Sequence, residues 1–526
     1  MRKHLIDKRN IIIHNETFEK IYLAEAQSRN PFVPLREKKS KVSIGWNDPT
    51  LRLFQTYCQA TVQPARSSTM YGFLIALFTC ITSFPVLCIA EGSDYNWYTE
   101  GDYIPSTRVK VVVKNDLNFD RKTCPVSIPR SDFPIPDISD FFVTVVDPGM
   151  QSDPEPTEDQ IRAVGGWKTR KETNGHYLRY QLDDLDKDGL WDELYFACDI
   201  KAKETKTLYV YVQPPHQRWL RGLYRHDTHA EIGNYERNFI CWWESEVIGW
   251  KIATLTDVDM YGKRERIIIS PMECIENWAG YNRPYKYGLD ILLVGDTFGA
   301  AGLCLFEEPA FPDSVSRPRF SPTSKEGQFY NTRYSRDVVV NGPMRSIIVV
   351  RTMGWRSGKG VYSLEQYYTA YADKYYSTCK AVFTSFVPEE KQTVFGCGMR
   401  AIMNEYDSYH EKGTVISFGK NVAIESPHPD EKGKEKIRTV LDFEALSLVV
   451  KDKYNPSYKF IQSYDGNHCF RIPVNKNLAF EYLFAGAWSE GLENKTPEEF
   501  KTYVVKAAQE FNNPLIITEY KIEKKK

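Results

Sequence analysis

Short strand-like runs constrain the fold of this chain more than any other feature of its sequence. They are rich in β-branched and aromatic residues, and they end at Asn, Asp, Gly or Pro. Stretches with helical periodicity are nearly absent. The sequence also shows no internal repeat of fixed period, so neither a propeller nor a solenoid is predicted. The fold is therefore predicted to be mainly β. The clearest strands are Val109–Val113, Phe141–Val146, Leu208–Val212, Ser346–Val350, Val415–Phe418 and Leu446–Val450.

One helix is predicted near the C-terminus. Thr496 and Glu499 form a capping box, and Pro497 occupies the first helical position. Apolar residues then recur along one face until Asn512-Asn513-Pro514 ends the helix. We expect about four turns, packed on a β body.

The length of 526 residues indicates more than one domain. Pro214-Pro215 is the best internal boundary. It divides a small β-sandwich-like domain, residues 106–215, from a large β-sandwich, residues 216–526. Residues 91–105 contain Gly101 and Pro105 and are predicted to be a linker.

The only long apolar run is Tyr71–Ala90, which directly follows Met70 and carries no charge. Pro85 in its second half and the small-x-small end Cys88-Ile89-Ala90 favour a secretory signal peptide over residues 70–90. Residues 1–69 are then an over-extended or disordered N-terminus. The alternative is an internal signal anchor. We expect an exported protein, periplasmic or extracellular, with no membrane span after cleavage.

Charge and cysteine content exclude two other classes. The 68 basic and 69 acidic residues nearly cancel, which argues against a nucleic-acid-binding protein. The cysteines after residue 90 are widely spaced without a C-x-x-C pair, so neither a zinc cage nor a disulfide scaffold is predicted. Most are expected to be small buried hydrophobic residues.

An acidic loop is the sharpest local signal. Asp184, Asp186, Asp188 and Asp192 occupy loop positions 1, 3, 5 and 9, with Gly189 at position 6 for the sharp turn. Four such carboxylates repel one another without a cation. The loop is therefore predicted to bind a structural Ca²⁺. The alternative is an acidic turn without metal, because Tyr195 stands where an EF-hand has Glu.

The sequence signals for catalysis and ligand binding are weaker than the acidic loop. The sequence contains no G-x-S-x-G, P-loop, H-E-x-x-H or dinucleotide-binding motif. His229 and His468 could act as acid–base groups or be ordinary histidines. Trp242-Trp243-Glu244, Trp278, Tyr281 and Tyr285 mix aromatic and acidic groups as sugar-binding clefts do, although each aromatic could equally fill a core.

The chain after the apolar run resembles an uncharacterised family of secreted proteins, a domain of unknown function from bacterial polysaccharide-utilisation gene clusters. The resemblance runs in order from about Val109 to Pro514. It implies a carbohydrate-active protein with a large galactose-mutarotase-like sandwich. The matching blocks include Val111–Leu117, Asp184–Phe196, His229-Ala230, Glu236-Arg237, Trp243-Glu244, Asp259–Lys263, Gly288–Asp290, Asn341–Arg345 and Ala485–Trp488.

One departure from the family pattern affects the predicted chemistry. Where a Tyr-His pair is expected before the Gly-x-Asp block, this chain has Tyr285-Lys286. If that histidine acts in relatives, Lys286 has replaced it or the activity has been lost.

The resemblance implies an enzyme of oligosaccharide breakdown that acts on uronate-containing fragments as a lyase, dehydratase or hydrolase. Elimination needs a cation at the uronate carboxylate and a base for the adjacent proton, and hydrolysis needs two carboxyl groups. The alternative is a non-catalytic glycan-binding protein. The cation candidates are Arg237, Lys263 and Arg345, the base candidates His229, Tyr285 and His468, and the carboxylate candidates Glu244 and Asp290.

Overall fold

The computed structural model describes most of the chain after residue 96. The described residues are 97–525 apart from 102, 153–157, 159–170, 214–224, 236–237, 253–256, 274–284, 308–313, 319–331, 421, 425–437 and 463–464. The predicted signal peptide and the segment before it, residues 1–69, lie outside this range.

The described residues form a predominantly β structure, as the sequence predicts. Three short 3₁₀ helices cover Arg130–Asp132, Ile138–Asp140 and Asp452–Tyr454. The α-helices are α1 (Ser270–Glu273) and α2 (Pro497–Asn512). The strands in chain order are β1 (Thr99–Glu100), β2 (Thr107–Lys114), β3 (Arg121–Pro129), β4 (Phe142–Asp147), β5 (Glu172–Thr173), β6 (His176–Tyr177), β7 (Tyr180–Asp183), β8 (Glu193–Ile200), β9 (Thr205–Gln213), β10 (Thr228–Tyr235), β11 (Asn238–Ser245), β12 (Ile248–Ile252), β13 (Asp259–Lys263), β14 (Gly288–Asp290), β15 (Gly302–Phe306), β16 (Arg333–Asn341), β17 (Arg345–Ser357), β18 (Gly360–Tyr371), β19 (Tyr376–Val387), β20 (Val394–Arg400), β21 (Asp407–Glu411), β22 (Thr414–Gly419), β23 (Val422–Ile424), β24 (Arg438–Val440), β25 (Glu444–Val450), β26 (Ser457–Ile461), β27 (Asn467–Ile472), β28 (Ala479–Trp488) and β29 (Ile516–Lys524).

The first sandwich packs two antiparallel sheets. One has the order β29-β2-β9-β4-β6 and the other the order β3-β8-β7. Alternate residues of β2, β8 and β9 point inwards, and they form one buried apolar cluster that contains Val111, Phe196 and Val210. Burial of this cluster is the main stabilising contribution to the first sandwich.

The second sandwich is larger and has an eight-stranded sheet, with the order β16-β17-β18-β19-β28-β25-β22-β21, as one layer. A five-stranded sheet, β10-β11-β12-β13-β14, and a four-stranded sheet, β15-β20-β27-β26, pack against it. Their shared core contains Trp243, Trp250, Leu303, Tyr368 and Phe484, drawn from all three sheets. The two sandwiches and the long helix confirm the predicted fold class.

The predicted C-terminal helix is confirmed as α2. The Thr496 hydroxyl accepts a hydrogen bond from the Glu499 amide at 3.3 Å, and Pro497 begins the helix. Phe500 and Val504 are buried against the outer side of the eight-stranded sheet. The apolar spacing and the cap therefore encode both the start of this helix and the face that it buries.

The last strand departs from the division predicted from the sequence. β29 pairs with β2 and so belongs to a sheet of the first sandwich, although the prediction assigned residues 216–526 to the large one. Glu519 and Glu523 pair with Lys110 and Arg108 at 3.0 and 2.7 Å. These cross-strand ion pairs, together with the backbone pairing, join β29 to the edge of β2.

Part of the predicted linker is also packed structure. Trp97, Tyr98 and Tyr103 are buried, and they contact Tyr211 and Val146 of the first sandwich. β1 pairs with β5, and the Tyr98 hydroxyl donates to Glu172 at 2.6 Å. The prediction of a linker over residues 91–105 is thus wrong for this part. Its three large aromatic rings are buried against the first sandwich, whereas a linker would leave them exposed to water.

The cysteines after residue 90 were expected to be mostly buried. Every cysteine in the described part of the chain is free, and each is buried, as expected for small hydrophobic residues: Cys124, Cys198, Cys241, Cys304, Cys379, Cys397 and Cys469. Cys274 lies outside the described residues.

Across the described ranges, no helix combines the length and the apolar character needed to cross a membrane.

Candidate functional site

The five-stranded sheet β10–β14 has one apolar side and one polar side. Successive side chains of a strand point to opposite sides of the sheet. Ala230, Trp243, Trp250, Met260 and Leu289 therefore enter the core, while their neighbours point away from it. We call this second side the polar face; it carries His229, Glu231, Trp242, Glu244, Lys251, Asp259, Tyr261, Lys263 and Asp290.

Lys251 lies between two carboxylates on the polar face. Its Nζ is 3.0 Å from an Asp290 oxygen and 3.2 Å from an Asp259 oxygen. The lysine side chain is completely buried, whereas the Asp259 and Asp290 side chains remain 14% and 12% exposed. The ammonium is therefore shielded from a ligand, and Asp290 Oδ1 is itself a buried atom, so the remaining exposure of the two side chains is small.

The pKa values of both carboxyl groups are raised above the ordinary value of an aspartate. Burial, reinforced by the charge of Asp259, raises the pKa of Asp290 to about 7, although Lys251 opposes the shift. Burial also raises the pKa of Asp259. One ammonium cannot fully neutralise two nearby carboxylates, so near neutral pH the pair can hold one proton. A carboxyl group with such a pKa can act as a general acid.

Glu244 and Lys263 form a second, fully buried pair on the same face. Besides its ion pair with Glu244, Lys263 donates hydrogen bonds to the carbonyls of Ser245 and Ile267 at 2.6 and 2.7 Å. Glu244 also accepts the backbone amides of Ile269 and Ser270 at 3.1 and 2.6 Å. All three ammonium protons are used, so this pair positions the segment that carries Ile269 and Ser270 and has no exposed atom for a substrate.

His229 lies opposite Glu244 in the sheet and is partly exposed. Its Nδ1 is 2.7 Å from the Ser270 hydroxyl. Burial lowers the pKa of His229, and the Glu244 carboxylate opposes the shift. Neighbouring Glu231 has its pKa raised, chiefly by burial. A histidine that is neutral near pH 7 can accept a proton.

Aromatic rings complete the polar face. The rings of Trp242 and Tyr261 pack with their centroids 5.6 Å apart. Gly249 and Gly288 leave room for them, because a Cβ at Gly249 would lie 2.9 Å from Trp242 and one at Gly288 would lie 2.4 Å from Tyr261. Just before β14, the ring of Tyr285 stacks on that of Tyr287 with the centroids 4.9 Å apart. Lys286, which lies between them in the sequence, is exposed.

Comparison with known families identifies the chain. The model of the family described as "Domain of unknown function (DUF4861)" matches residues 168–517, which include the whole polar face. The chain belongs to the DUF4861 family. The resemblance to a domain of unknown function is thus confirmed, while its first block, Val111–Leu117, precedes the matched residues.

The similarity of the DUF4861 chain to solved structures is low. No curated protein matches it. A protein of glycosyl hydrolase family 38 from Enterococcus faecalis has a TM-score of 0.38 and 9% identity, over 80% of this chain and 48% of the other. An alpha-mannosidase from Enterococcus faecalis V583 has a TM-score of 0.39 and 10% identity, over 79% and 46%. The chain spans about half the length of these solved proteins.

The structure brings together some of the predicted site residues. Glu244, Lys263, Asp290 and His229 share the polar face of this DUF4861 protein, and Tyr285 lies just before its last strand. Arg237 lies outside the described residues, as do Trp278 and Tyr281. Lys251 was not among the predicted residues, although a lysine inside the apolar strand Ile248–Ile252 signals a buried partner.

Two predicted residues lie elsewhere. His468 is on β27 and points towards the core, the opposite direction to the polar face, because Phe470 and Ile472 on the same side of β27 are core residues. Its ring nitrogens contact the Tyr458 hydroxyl and the Glu405 carboxylate, each at 2.9 Å. Arg345 is buried at the first sandwich, where it pairs with Asp183 and, at 3.0 Å, with Glu193.

The acidic loop of the DUF4861 chain brings three carboxylates together. One ligand oxygen from each of Asp184, Asp186 and Asp188 lies within 4.8 Å of the others. Gly189 has φ +91°, the left-handed turn that the motif predicts. Asp192 is not in this group, since its Oδ2 accepts the amides of Leu185 and Asp186 at 2.7 and 3.3 Å. These residues could hold Ca²⁺ through the three grouped carboxylates, with Asp192 supporting the loop.

Proposed function

We propose that the protein is an exported enzyme of oligosaccharide breakdown that acts on uronate-containing glycan fragments at the polar face. One observation carries the proposal: the carboxyl groups of Asp259 and Asp290, whose side chains keep a small exposed fraction, flank the buried Lys251 ammonium at 3.2 and 3.0 Å. Paired carboxyl groups with separated protonation states are the acid–base machinery of many sugar-cleaving enzymes.

The proposed roles follow from exposure and charge. Asp290, with a pKa raised to about 7, donates a proton to the leaving oxygen of the substrate. Asp259 stays ionised beside Lys251 and either accepts a proton or orients water. His229, whose pKa is lowered by burial, is the alternative base. Trp242 and Tyr261 lie on the same face but are completely buried, where they pack with Ile269, so they support the site without contacting a substrate.

The substrate carboxylate needs a cation that it can reach. Lys251 and Lys263 are buried and already paired, so neither fits that role. Lys286 is exposed beside the stacked Tyr285 and Tyr287 rings, at the position where the family pattern has histidine. We propose Lys286 or Arg237 as the group that neutralises the uronate.

The compartment in this proposal rests on the sequence alone. The apolar run over residues 70–90 has the layout of a signal peptide, and its removal would release residues 91–526 to the periplasm or the medium. Oligosaccharides imported or produced at the cell surface would then be the available substrates.

The test incubates the protein with a panel of uronate-containing oligosaccharides and follows two signals, the ultraviolet absorbance of an unsaturated product and the number of reducing ends. A lyase raises both, a dehydratase raises only the absorbance, and a hydrolase raises only the reducing ends. Asp290→Asn should abolish the signal, while Asp407→Asn, at an exposed position on β21, should leave it unchanged.

Two results would overturn the proposal. Binding of the oligosaccharides without either signal would favour the alternative, a non-catalytic glycan-binding protein. Neither binding nor turnover across the panel would remove uronate glycans as ligands.

A further inference from the structure

A cavity of about 550 Å³ lies between the first sandwich and the outer side of the eight-stranded sheet. Strands β17, β18, β19 and β28 form its floor, while β3, β8 and the end of α2 form its walls. This volume is within the usual range for small-molecule sites. No residue of the polar face lines the cavity, so any ligand bound here occupies a separate site.

Aromatic rings form part of the lining. Tyr371 and Tyr376 lie with their ring centroids 5.7 Å apart on neighbouring strands, and Tyr367 lies on the same strand as Tyr371. The Tyr371 hydroxyl is 2.9 Å from the Thr378 hydroxyl, and the Tyr367 hydroxyl donates to Glu365 at 2.6 Å. These bonds fix the rings in place, and fixed ring faces suit the C–H surface of a sugar.

The charges of the lining cancel. Its cations are Arg121, Arg345, Lys380 and Lys451, and its anions are Asp186, Glu193, Glu481 and Glu510. Half of these groups form close ion pairs with each other: Arg345 with Glu193 at 3.0 Å, and Lys451 with Glu481. A cavity lined by equal numbers of cations and anions favours a neutral, hydroxyl-rich ligand over an anion.

Two donors in the lining retain binding capacity. Arg121 is only 3% exposed, and its Nε–H has no hydrogen-bond acceptor among the described residues. The Glu510 oxygen is 3.9 Å from this nitrogen, beyond hydrogen-bond distance. Lys380 on β19 is exposed, and within the described ranges its ammonium forms no hydrogen bond or ion pair. A buried donor without an acceptor is costly unless water or a ligand hydroxyl completes it.

We propose that this cavity is a second carbohydrate site, which binds a neutral sugar unit between the tyrosine rings and the Arg121 and Lys380 donors. The volume, the fixed aromatic faces, the cancelled charge and the unused buried donor all point to the same ligand chemistry. The site is independent of turnover at the polar face. It would hold a neutral part of a glycan, or a separate neutral oligosaccharide.

The test measures calorimetric binding of neutral disaccharides (cellobiose, maltose, mannobiose and xylobiose) to the full chain. At least one should bind, and Tyr367→Ala and Lys380→Ala should each weaken its binding about tenfold. Lys476→Ala, at an exposed turn outside the cavity, is the matched control and should have no effect. Because Lys380 is exposed, its variant should keep the fold.

Asp290→Asn separates this site from the proposed catalytic one, and neutral-sugar binding should survive that change. The proposal is overturned if no disaccharide of the panel binds, or if the binding persists in both cavity variants. Binding that disappears in Asp290→Asn but not in Lys380→Ala would place the sugar at the polar face and also overturn it.

Discussion

At the residue scale, the polar face separates groups that hold its structure from groups that can act. Glu244 and Lys263 have no exposed side-chain surface, whereas Asp259, Asp290 and His229 have some. Residue types alone made Glu244, Lys263, Asp290 and His229 equal candidates. Burial distinguishes them, because a fully enclosed ion pair cannot contact a substrate but can fix the backbone around it.

Removal of one member of the buried pair should therefore affect folding before chemistry. Lys263→Ala leaves the Glu244 carboxylate buried without its cation, which costs about 3–5 kcal/mol of unfolding free energy. Urea denaturation followed by tryptophan fluorescence measures this loss. Lys286→Ala, at an exposed position, should change the same free energy by less than about 0.5 kcal/mol. A Lys263→Ala variant as stable as the wild type would refute the positioning role.

Side-chain direction also explains which residues sequence reasoning could place. Alternation along β11 and β13 puts Glu244 and Lys263 on one side, so their contact follows once the register is known. The register itself depends on strand pairing across many residues, which no local pattern encodes. His468 lies in a strand buried on both sides, where polarity gives no indication of direction.

At the element scale, local signals predicted the strands and α2 well, and failed where a segment packs against a distant partner. β29 alternates exposed and partly buried residues, but its partner β2 lies about 400 residues earlier in the chain. Likewise the Trp97–Tyr103 segment is ordered by Tyr211. In both cases the stabilising contact is tertiary, so local composition did not indicate the partner.

The acidic loop is the element whose metal content can be tested directly. With free Ca²⁺ at about a hundred times its dissociation constant, binding should stabilise the protein by about 2.7 kcal/mol. EDTA should then lower the melting temperature, and Asp186→Ala should remove the difference. Asp337→Ala, an exposed change that breaks only the pair with Lys187, serves as the control. No EDTA effect and no calorimetric heat on Ca²⁺ addition would leave an acidic turn without metal.

At the scale of the whole molecule, the C-terminal strand links the end of the chain to its first sandwich. Deletion of residues 516–526 removes β29, exposes the edge of β2 and uncovers the buried surface that Ile517 and Tyr520 cover. We expect a loss of about 3 kcal/mol and aggregation through the exposed edge. Thermal melts with light scattering would detect both effects.

A point change provides the comparison for this deletion. Glu519→Gln removes one partly exposed ion pair with Lys110 but leaves the strand, so it should cost at most about 1 kcal/mol. If the deletion is no more harmful than Glu519→Gln, β29 does not contribute to the stability of the first sandwich.

The two sandwiches also place two chemically different surfaces on one chain. The polar face carries paired carboxyl groups of raised pKa, while the cavity by β18 and β19 has aromatic rings and balanced charge. If both proposed sites bind parts of one glycan, the bound neutral part raises the effective concentration of the reacting part at the polar face.

The pH dependence of kcat/KM on a uronate oligosaccharide tests the central claim most directly. A raised pKa keeps the Asp290 proton in place up to about pH 7, so kcat/KM should fall as the pH rises through that value. Asp290→Asn should lower kcat/KM by about 10²–10⁴-fold and remove that limb, whereas Asp407→Asn should preserve the wild-type profile. A wild-type profile without a decline near pH 7, or full activity in Asp290→Asn, would contradict the assignment of Asp290 as the acid of the polar face.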